Sequence, residues 1–152
     1  MDKLITTVLL IIASVTCTIV VINAAYPAFN RGASAMVSIA EKANDRVQSS
    51  IEVIQAADDG SEVYIWVKNV GSSKIAAVDQ SDMFFGETGS ISRIPYGEGT
   101  PHWTYEIENN SEWLPMATVK IIIHLSSAPS SGTYFVNIVI PNGISDEYSF
   151  SI

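Results

Sequence analysis

The sequence predicts an N-terminal transmembrane or extended α-helix followed by an all-β, immunoglobulin-like antiparallel sandwich. An uncharged apolar run occupies residues 4–22, and residues 33–57 contain neither glycine nor proline. Beyond this stretch, apolar and polar residues alternate in short segments that Gly, Pro, Asn and Ser separate. We therefore divide the chain into a membrane anchor at 1–30, an extracytoplasmic helix at 31–59 that continues from it, and a sandwich domain at 60–152.

The first segment is long enough to cross a membrane. The 19 residues from Leu4 to Ile22 span roughly 28 Å as a helix, which is about the thickness of the hydrocarbon core of a bilayer. Tyr26 and Phe29 follow, where interfacial aromatic residues usually lie. A cleaved secretory signal is the alternative, although its apolar region is usually shorter and the residues around Ala24 fit a cleavage site poorly. We expect a retained single-pass anchor in the cell membrane, with residues 31–152 outside.

The segment after the anchor has the pattern of a helix with a narrow apolar stripe. Its predicted seam follows a heptad-like spacing and consists of Met36, Ala40, Ala43, Val47 and Ile54. Small residues in such a seam favour the close approach of a second helix. Packing of the stripe against the protein's own domain is the other interpretation, and the sequence leaves both open. Turn-forming residues at 58–61 are predicted to end the helix.

Seven or eight short strands are predicted in the remainder of the chain. Val63, Ile65 and Val67 alternate with Tyr64 and Trp66, which is the period of a strand. Further strands are predicted at residues 74–78, 83–85, 90–94, 102–108, 118–125, 133–140 and 147–152. No helical pattern intervenes, so the strands are expected to form an antiparallel sandwich with one modest core.

Three of these strands have apolar side chains on both faces. The minority faces contain the residues that we predict to form an interaction surface: Tyr64, Trp66, Ile122, Phe135 and Val139. Apolar groups on both faces of a strand indicate either a central position or a second contact surface outside the core. We expect this surface to mediate self-association. The alternative is that these side chains are internal to the domain or pack on the preceding helix.

Composition excludes several classes of function. The chain has 16 acidic and 8 basic residues, a net charge of −8, and no cluster of Lys or Arg, so nucleic acid is not an expected partner. The single cysteine, Cys17, permits neither an internal disulfide nor a cysteine-based zinc site. His102 and His124 are separated by 22 positions and lack the spacing of a metal site or a catalytic triad.

The acidic residues do not indicate an active site either. Glu106 and Glu108 share a strand face at a separation that some glycosidases use, but solvated acids on a strand are far commoner. Asp79 and Asp82 flank a turn without the pattern of a calcium-binding loop. We predict no catalytic, cofactor-binding or metal site, no cofactor and no small-molecule substrate, and hence no enzyme. Residues 109–111 form an acceptor triplet for N-glycosylation, a pattern that also arises by chance.

Three stretches of the sequence resemble the archaellum protein G (FlaG) family, within the wider archaellin-like group. They are residues 63–71 (VYIWVKNVG), 82–86 (DMFFG) and 141–148 (PNGISDEY). The first stretch is shared with archaellins and with archaellum protein F, so the other two favour protein G. Archaellins have a basic, glycine-containing cleavage site before the apolar segment, and residues 1–4 contain no such site.

The resemblance implies a non-catalytic stator of the archaeal swimming motor. Members of this family are anchored in the cell membrane and self-assemble in the pseudo-periplasm. Protein F caps the assembly and contacts the S-layer, so the implied partners are the membrane, further copies of the chain, protein F and, through it, the S-layer. The alternatives are a pilin- or archaellin-type filament subunit or adhesin, and an anchored module that binds carbohydrate or metal.

Overall fold

Residues 2–152, which the computed structural model describes, form one long helix, eight β-strands and a short 3₁₀ turn. The helix, α1, runs over Asp2–Gln48, and the 3₁₀ turn is Val78–Gln80. The strands are β1 (Ile51–Asp59), β2 (Glu62–Asn69), β3 (Asp82–Glu87), β4 (Ser90–Ile94), β5 (His102–Ile107), β6 (Thr118–His124), β7 (Thr133–Val139) and β8 (Ser145–Ser151). The predicted class, an apolar N-terminal helix followed by an all-β sandwich, is confirmed.

The strands form two antiparallel sheets of four. The first sheet has the strand order β1-β2-β6-β5, and the second has the order β4-β3-β7-β8. Four consecutive antiparallel pairs, β1–β2, β3–β4, β5–β6 and β7–β8, each remain within one sheet, whereas the chain changes sheet after β2, β4 and β6. Each sheet is therefore closed by one pairing between strands that are distant in sequence, β2–β6 in the first and β3–β7 in the second.

One face of each sheet faces the core. Along β2 and β6 every second side chain is buried, as period-2 patterning requires, and the same alternation continues in β3 and β7. Trp103 and Trp113 are the largest fully buried side chains in the described residues. The other large apolar side chains that are fully buried are Val63, Ile65, Val67, Met83, Val119, Ile121, Ile123, Val136, Ile138 and Ile140.

Two elements differ from the prediction. The helix does not continue to residue 59: it ends at Gln48, and residues 51–59 form β1. Ile51 and Val53 alternate into the core, and pairing with β2 outweighs the helical propensity of this short stretch. Ile54 is exposed, as this alternation requires, and a bulge between Val53 and Gln55 leaves Gln55 exposed as well. Ile54 is thus a strand residue and not a member of the helix seam.

The predicted strand at residues 74–78 is also wrong. Only Ile75 pairs in this segment, through an isolated bridge to Trp113, and the chain then enters the 3₁₀ turn. Ala77 precedes that turn with a φ of 52°, a left-handed conformation that cannot continue a strand. The segment nevertheless buries Ile75 and Val78 in the core.

The chain divides into two units, one ending at Lys42 and the other comprising Ala43–Ile152. The first unit is helical from Asp2 onward and has no buried side chain within α1. By length and composition this helix could cross a membrane. The second unit contains the last turns of α1 together with both sheets.

Adjacent isoleucines of β6 test the assignment of the two faces. Ile121 is fully buried in the core, whereas Ile122 lies on the outside of the first sheet. We expect Ile121→Ala to lower the free energy of unfolding by about 2–5 kcal/mol, because it leaves a cavity. Ile122→Ala should cost about 1 kcal/mol or less. Chemical denaturation followed by circular dichroism measures both values, and equal losses would contradict the assignment.

Candidate functional site

The end of α1 is hydrogen-bonded to the loop that follows β2. The backbone N–H groups of Val70 and Gly71 donate to the carbonyl oxygen of Ser50 at 2.9 and 3.0 Å. The carbonyl oxygen of Gln48 accepts from the N–H of Ser72 at 2.8 Å. The last carbonyl groups of a helix have no partner within the helix, so this loop supplies donors that solvent would otherwise provide. We call Gln48–Ser50 with the loop after β2 the helix junction.

A buried asparagine shapes the loop. Asn69 is fully buried, and its side-chain nitrogen donates to the carbonyl oxygens of Ser73 at 2.9 Å and Trp113 at 3.3 Å. Its side-chain oxygen accepts from the N–H of Gly71 at 3.0 Å. A buried amide is tolerated only when its polar atoms are paired, and here both are. Asn69 therefore holds the donors of the loop in position over the helix end.

Gly71 is the point of closest approach in the helix junction. A Cβ atom at this position would lie 2.5 Å from the carbonyl oxygen of Gln48 and 2.6 Å from the amide nitrogen of Ser50. Both neighbours are backbone atoms, so neither can move aside as a flexible side chain could. Asn69 and Gly71 of the stretch 63–71 are thus explained by packing against the helix end.

The turn between β7 and β8 also contacts the helix junction. The side-chain nitrogen of Asn142 donates to the hydroxyl of Ser49 at 2.7 Å, and Gly143 follows with a φ of 83°. Further along, the carboxylate of Asp146 accepts from the N–H of Val53 at 2.7 Å. Two of the three stretches that resemble protein G therefore meet at the helix junction. Because the two stretches are far apart in the sequence, their spacing could not predict that they meet.

The outer face of the first sheet carries a hydrogen-bonded row across three strands. We call this side the first outer face. Glu62, His124 and His102 lie opposite one another on β2, β6 and β5. The Glu62 carboxylate contacts His124 Nδ1 at 3.0 Å and accepts from the Tyr64 hydroxyl at 2.6 Å. The other nitrogen of His124 lies 3.1 Å from the hydroxyl of Thr104, and the two histidine rings stack at 4.4 Å.

The polar contacts of this face shift the acidity of its members. The hydrogen bond from Tyr64, more than the neighbouring His124, lowers the pKa of Glu62 below its usual 4.5, because it favours the ionised carboxylate. The same hydrogen bond raises the pKa of Tyr64. Next to this row, Glu106 accepts from Lys120 at 2.7 Å and raises the pKa of that lysine. The described residues contain no group of three or more His, Cys, Asp or Glu side chains that could hold a metal ion.

The outer face of the second sheet has an apolar centre. We call this side the second outer face. It contains a groove of about 360 Å³ lined chiefly by Phe84, Ile91, Phe135, Asn137 and Val139, with Glu147 at one side. Ile91 is 52% exposed. The side-chain oxygen of Asn137 is enclosed and has no hydrogen-bond donor among residues 2–152.

The predicted interaction surface is divided between these two faces. Tyr64, Trp66 and Ile122 are half-buried on the first outer face, and Phe135 and Val139 are half-buried on the second. None of the five belongs to the buried core, and their role in association stays a prediction. The seam residues Met36, Ala40, Ala43 and Val47 do lie on α1 and are exposed. Pairing of that seam with a second helix likewise stays a prediction.

Comparison with known proteins gives the family. The model of the family described as archaeal-type flagellin matches residues 2–150. This chain belongs to the archaeal-type flagellin family. An uncharacterized protein of Archaeoglobus fulgidus is 29% identical over 160 residues, which cover 98% of each chain.

Two solved structures are similar in both sequence and fold. The archaellum periplasmic stator protein FlaG from Sulfolobus acidocaldarius is 33% identical, with a TM-score of 0.62, over 67% of this chain and 99% of that one. A chain of the FlaF–FlaG stator complex from the same organism is 35% identical, with a TM-score of 0.59, over 66% of this chain and 87% of that one. The resemblance to archaellum protein G is confirmed.

Substitution of Gly71 tests the close packing at the helix junction. We expect Gly71→Ala to lower the free energy of unfolding by about 1–3 kcal/mol, because the added methyl group overlaps backbone atoms. Gly132→Ala is the control: its Cβ would approach only the flexible Glu87 carboxylate, at 3.2 Å, and should change stability by less than about 1 kcal/mol. Calorimetry compares the two variants. An equal change in the free energy of unfolding of both variants would contradict the close packing at Gly71.

Titration tests the hydrogen bond between Tyr64 and Glu62. In Tyr64→Phe the pKa of Glu62 should rise toward 4.5, which carboxyl ¹³C NMR measures directly. Because folding lowers this pKa, the ionised carboxylate stabilises the fold above pH 4.5, and this contribution is lost as the pH falls through the lowered value. Glu62→Gln should remove that part of the acid dependence of stability. An unchanged Glu62 titration in Tyr64→Phe would contradict the assigned cause.

Proposed function

We propose that this protein is a non-catalytic, membrane-anchored stator component of the archaellum. In this proposal α1 fixes the chain in the cell membrane, and the sandwich projects into the pseudo-periplasm, where it self-assembles. Protein F then links the assembly to the S-layer. The match to FlaG, the archaellum periplasmic stator protein, supports the archaellum setting. The FlaF–FlaG complex supports protein F as a partner.

The observation on which the proposal depends is the helix junction. A stator must resist a load between its membrane anchor and its outer contact, so a flexible linker between the two would weaken it. Here residues 43–48 are helical and belong to the same compact unit as the sandwich. Backbone bonds from Val70, Gly71 and Ser72 and the side chain of Asn142 bind the helix end into that unit.

A filament subunit is the second candidate function, and the match to the archaeal-type flagellin model favours it. The two candidates differ in where the protein is found. A stator stays with the membrane and envelope fraction after filaments are sheared from the cells, whereas a filament subunit appears in the sheared material. Immunodetection of the full chain in both fractions decides between them. Recovery of the protein chiefly in sheared filaments would overturn the stator proposal.

For self-assembly we propose a head-to-tail contact between unlike faces. The first outer face presents Trp66, whose indole N–H has no hydrogen-bond partner among the described residues. The groove of the second outer face is lined chiefly by the apolar side chains of Phe84, Ile91, Phe135 and Val139. Insertion of Trp66 of one copy into the groove of the next would bury apolar surface on both copies. Because the two surfaces lie on opposite sides of one sandwich, such contacts can continue into a chain.

Two single variants test this arrangement in the full chain, solubilised in detergent. Trp66→Ser and Phe135→Ser each damage one side of the same contact, so each alone should be monomeric by analytical ultracentrifugation. Mixed together, they should form a dimer and nothing longer, because one intact pair of faces remains. Each should keep the circular dichroism of the parent, because both side chains lie outside the core.

A symmetric contact between two second outer faces predicts a different pattern. In that case Trp66→Ser still associates, Phe135→Ser does not, and mixing restores nothing, which would overturn the head-to-tail arrangement. Salt provides a further check. Residues 60–152 contain four basic and ten acidic side chains, a net charge of −6, so association should strengthen as added salt screens the repulsion.

A further inference from the structure

The connection between β5 and β6 contains a feature that the proposed function does not use. Residues 109–111, Asn-Asn-Ser, are the one N-x-Ser/Thr triplet in the sequence. The connection lies at an edge of the sandwich, because β5 is the last strand of the first sheet. A triplet of this kind can accept an N-linked glycan only where it is accessible and its side chains are not already engaged.

The two ends of this connection are held firmly. The N–H of Glu108 donates to the carbonyl oxygen of Thr118 at 2.9 Å, which closes the base. On the far side Trp113 is 1% exposed, and its indole donates to the carbonyl oxygen of Ala117 at 3.1 Å. Asn110 and Ser111 lie between these fixed points and are exposed. The triplet is therefore displayed on a short, well-anchored turn.

The side chains of the triplet are free to react. No hydrogen bond among residues 2–152 uses the side-chain amide of Asn109 or the hydroxyl of Ser111. Asn109 has a φ of 57°, and asparagine is one of the few residues that adopt this conformation readily. Backbone conformation alone would explain an asparagine at 109. It does not explain a serine two residues later whose hydroxyl has no partner in the fold.

We propose that Asn109 is an N-glycosylation site. The donor is an oligosaccharide linked through phosphate to a polyprenyl carrier. The amide nitrogen of Asn109 forms a bond to the anomeric carbon and loses a proton, while the sugar–phosphate C–O bond breaks and the polyprenyl phosphate leaves. Because this transfer takes place on exported segments, the inference rests on the proposed placement of the sandwich outside the membrane.

The position of Asn109 suggests what the glycan does. The adjacent residues Ser111 and Trp113 line a pocket of about 210 Å³ together with Tyr105 and Ile107 of β5. A glycan at the mouth of this pocket would cover the edge of β5 beyond Trp103, whose backbone groups already bond to Pro95 and Gly97. Exposed edge strands tend to pair with other chains, and covering the edge prevents this. Association would then be restricted to the two outer faces.

Mass spectrometry of the full chain, purified from the cells that produce it, tests the proposal. We expect the peptide containing Asn109 to carry an oligosaccharide, with sugar fragment ions that localise it to that residue. Ser111→Ala should abolish the modification although Asn109 is intact, and Ser111→Thr should preserve it. Neither change touches the core, so both variants should accumulate like the parent. An unmodified peptide in the parent protein would overturn the inference.

Protease treatment of intact cells separates this inference from the proposed function. If the sandwich is cleaved from outside but the peptide is unmodified, the site is wrong and the stator proposal is unaffected. If the sandwich is protected and the peptide is unmodified, the outside placement and the site both fail. A modification retained in Ser111→Ala would also overturn the site, because transfer would not depend on the triplet.

Discussion

The change from helix to strand at Ser49 and Ser50 is the constraint on which the rest of the structure depends. A helix that ends against a protein surface exposes carbonyl groups that need donors. The loop after β2 provides them, but only because Asn69 is fully paired inside the fold and Gly71 has no side chain. With this loop in place, β1 starts at Ile51 in register with Asn69, and the first hairpin is aligned from its first residue.

The two outer faces of the sandwich are each formed by four strands, but their side chains differ: the first has paired polar groups, and the second has an apolar groove. Across the first, Glu62 and Glu106 pair with Tyr64, His124 and Lys120. Across the second, apolar side chains surround a groove with one enclosed, unpaired oxygen. Burial of apolar area drives association, whereas polar contacts determine orientation. An asymmetric pair of faces can supply both.

Sequence reasoning succeeded where one local period decided the structure. The alternation along residues 63–67 places each side chain on the correct face, because a strand has only two faces. It failed at residues 51–59, where Ile51, Val53 and Ile54 fit both a helical stripe and a strand with a bulge. The helix junction and the row from Glu62 to His102 depend on pairing between distant strands. The spacing of residues along the chain does not show which distant strands pair.

The three tryptophans occupy different environments, so their fluorescence reports on different parts of the protein. Trp103 and Trp113 are enclosed in the core, while Trp66 lies half-buried on the first outer face. Emission from the enclosed pair reports the integrity of the fold, and emission from Trp66 responds to what covers that face. Quenching by a small soluble agent would therefore reach Trp66 well before the other two. Loss of that quenching in an assembled sample would give the occupancy of the face without any added label.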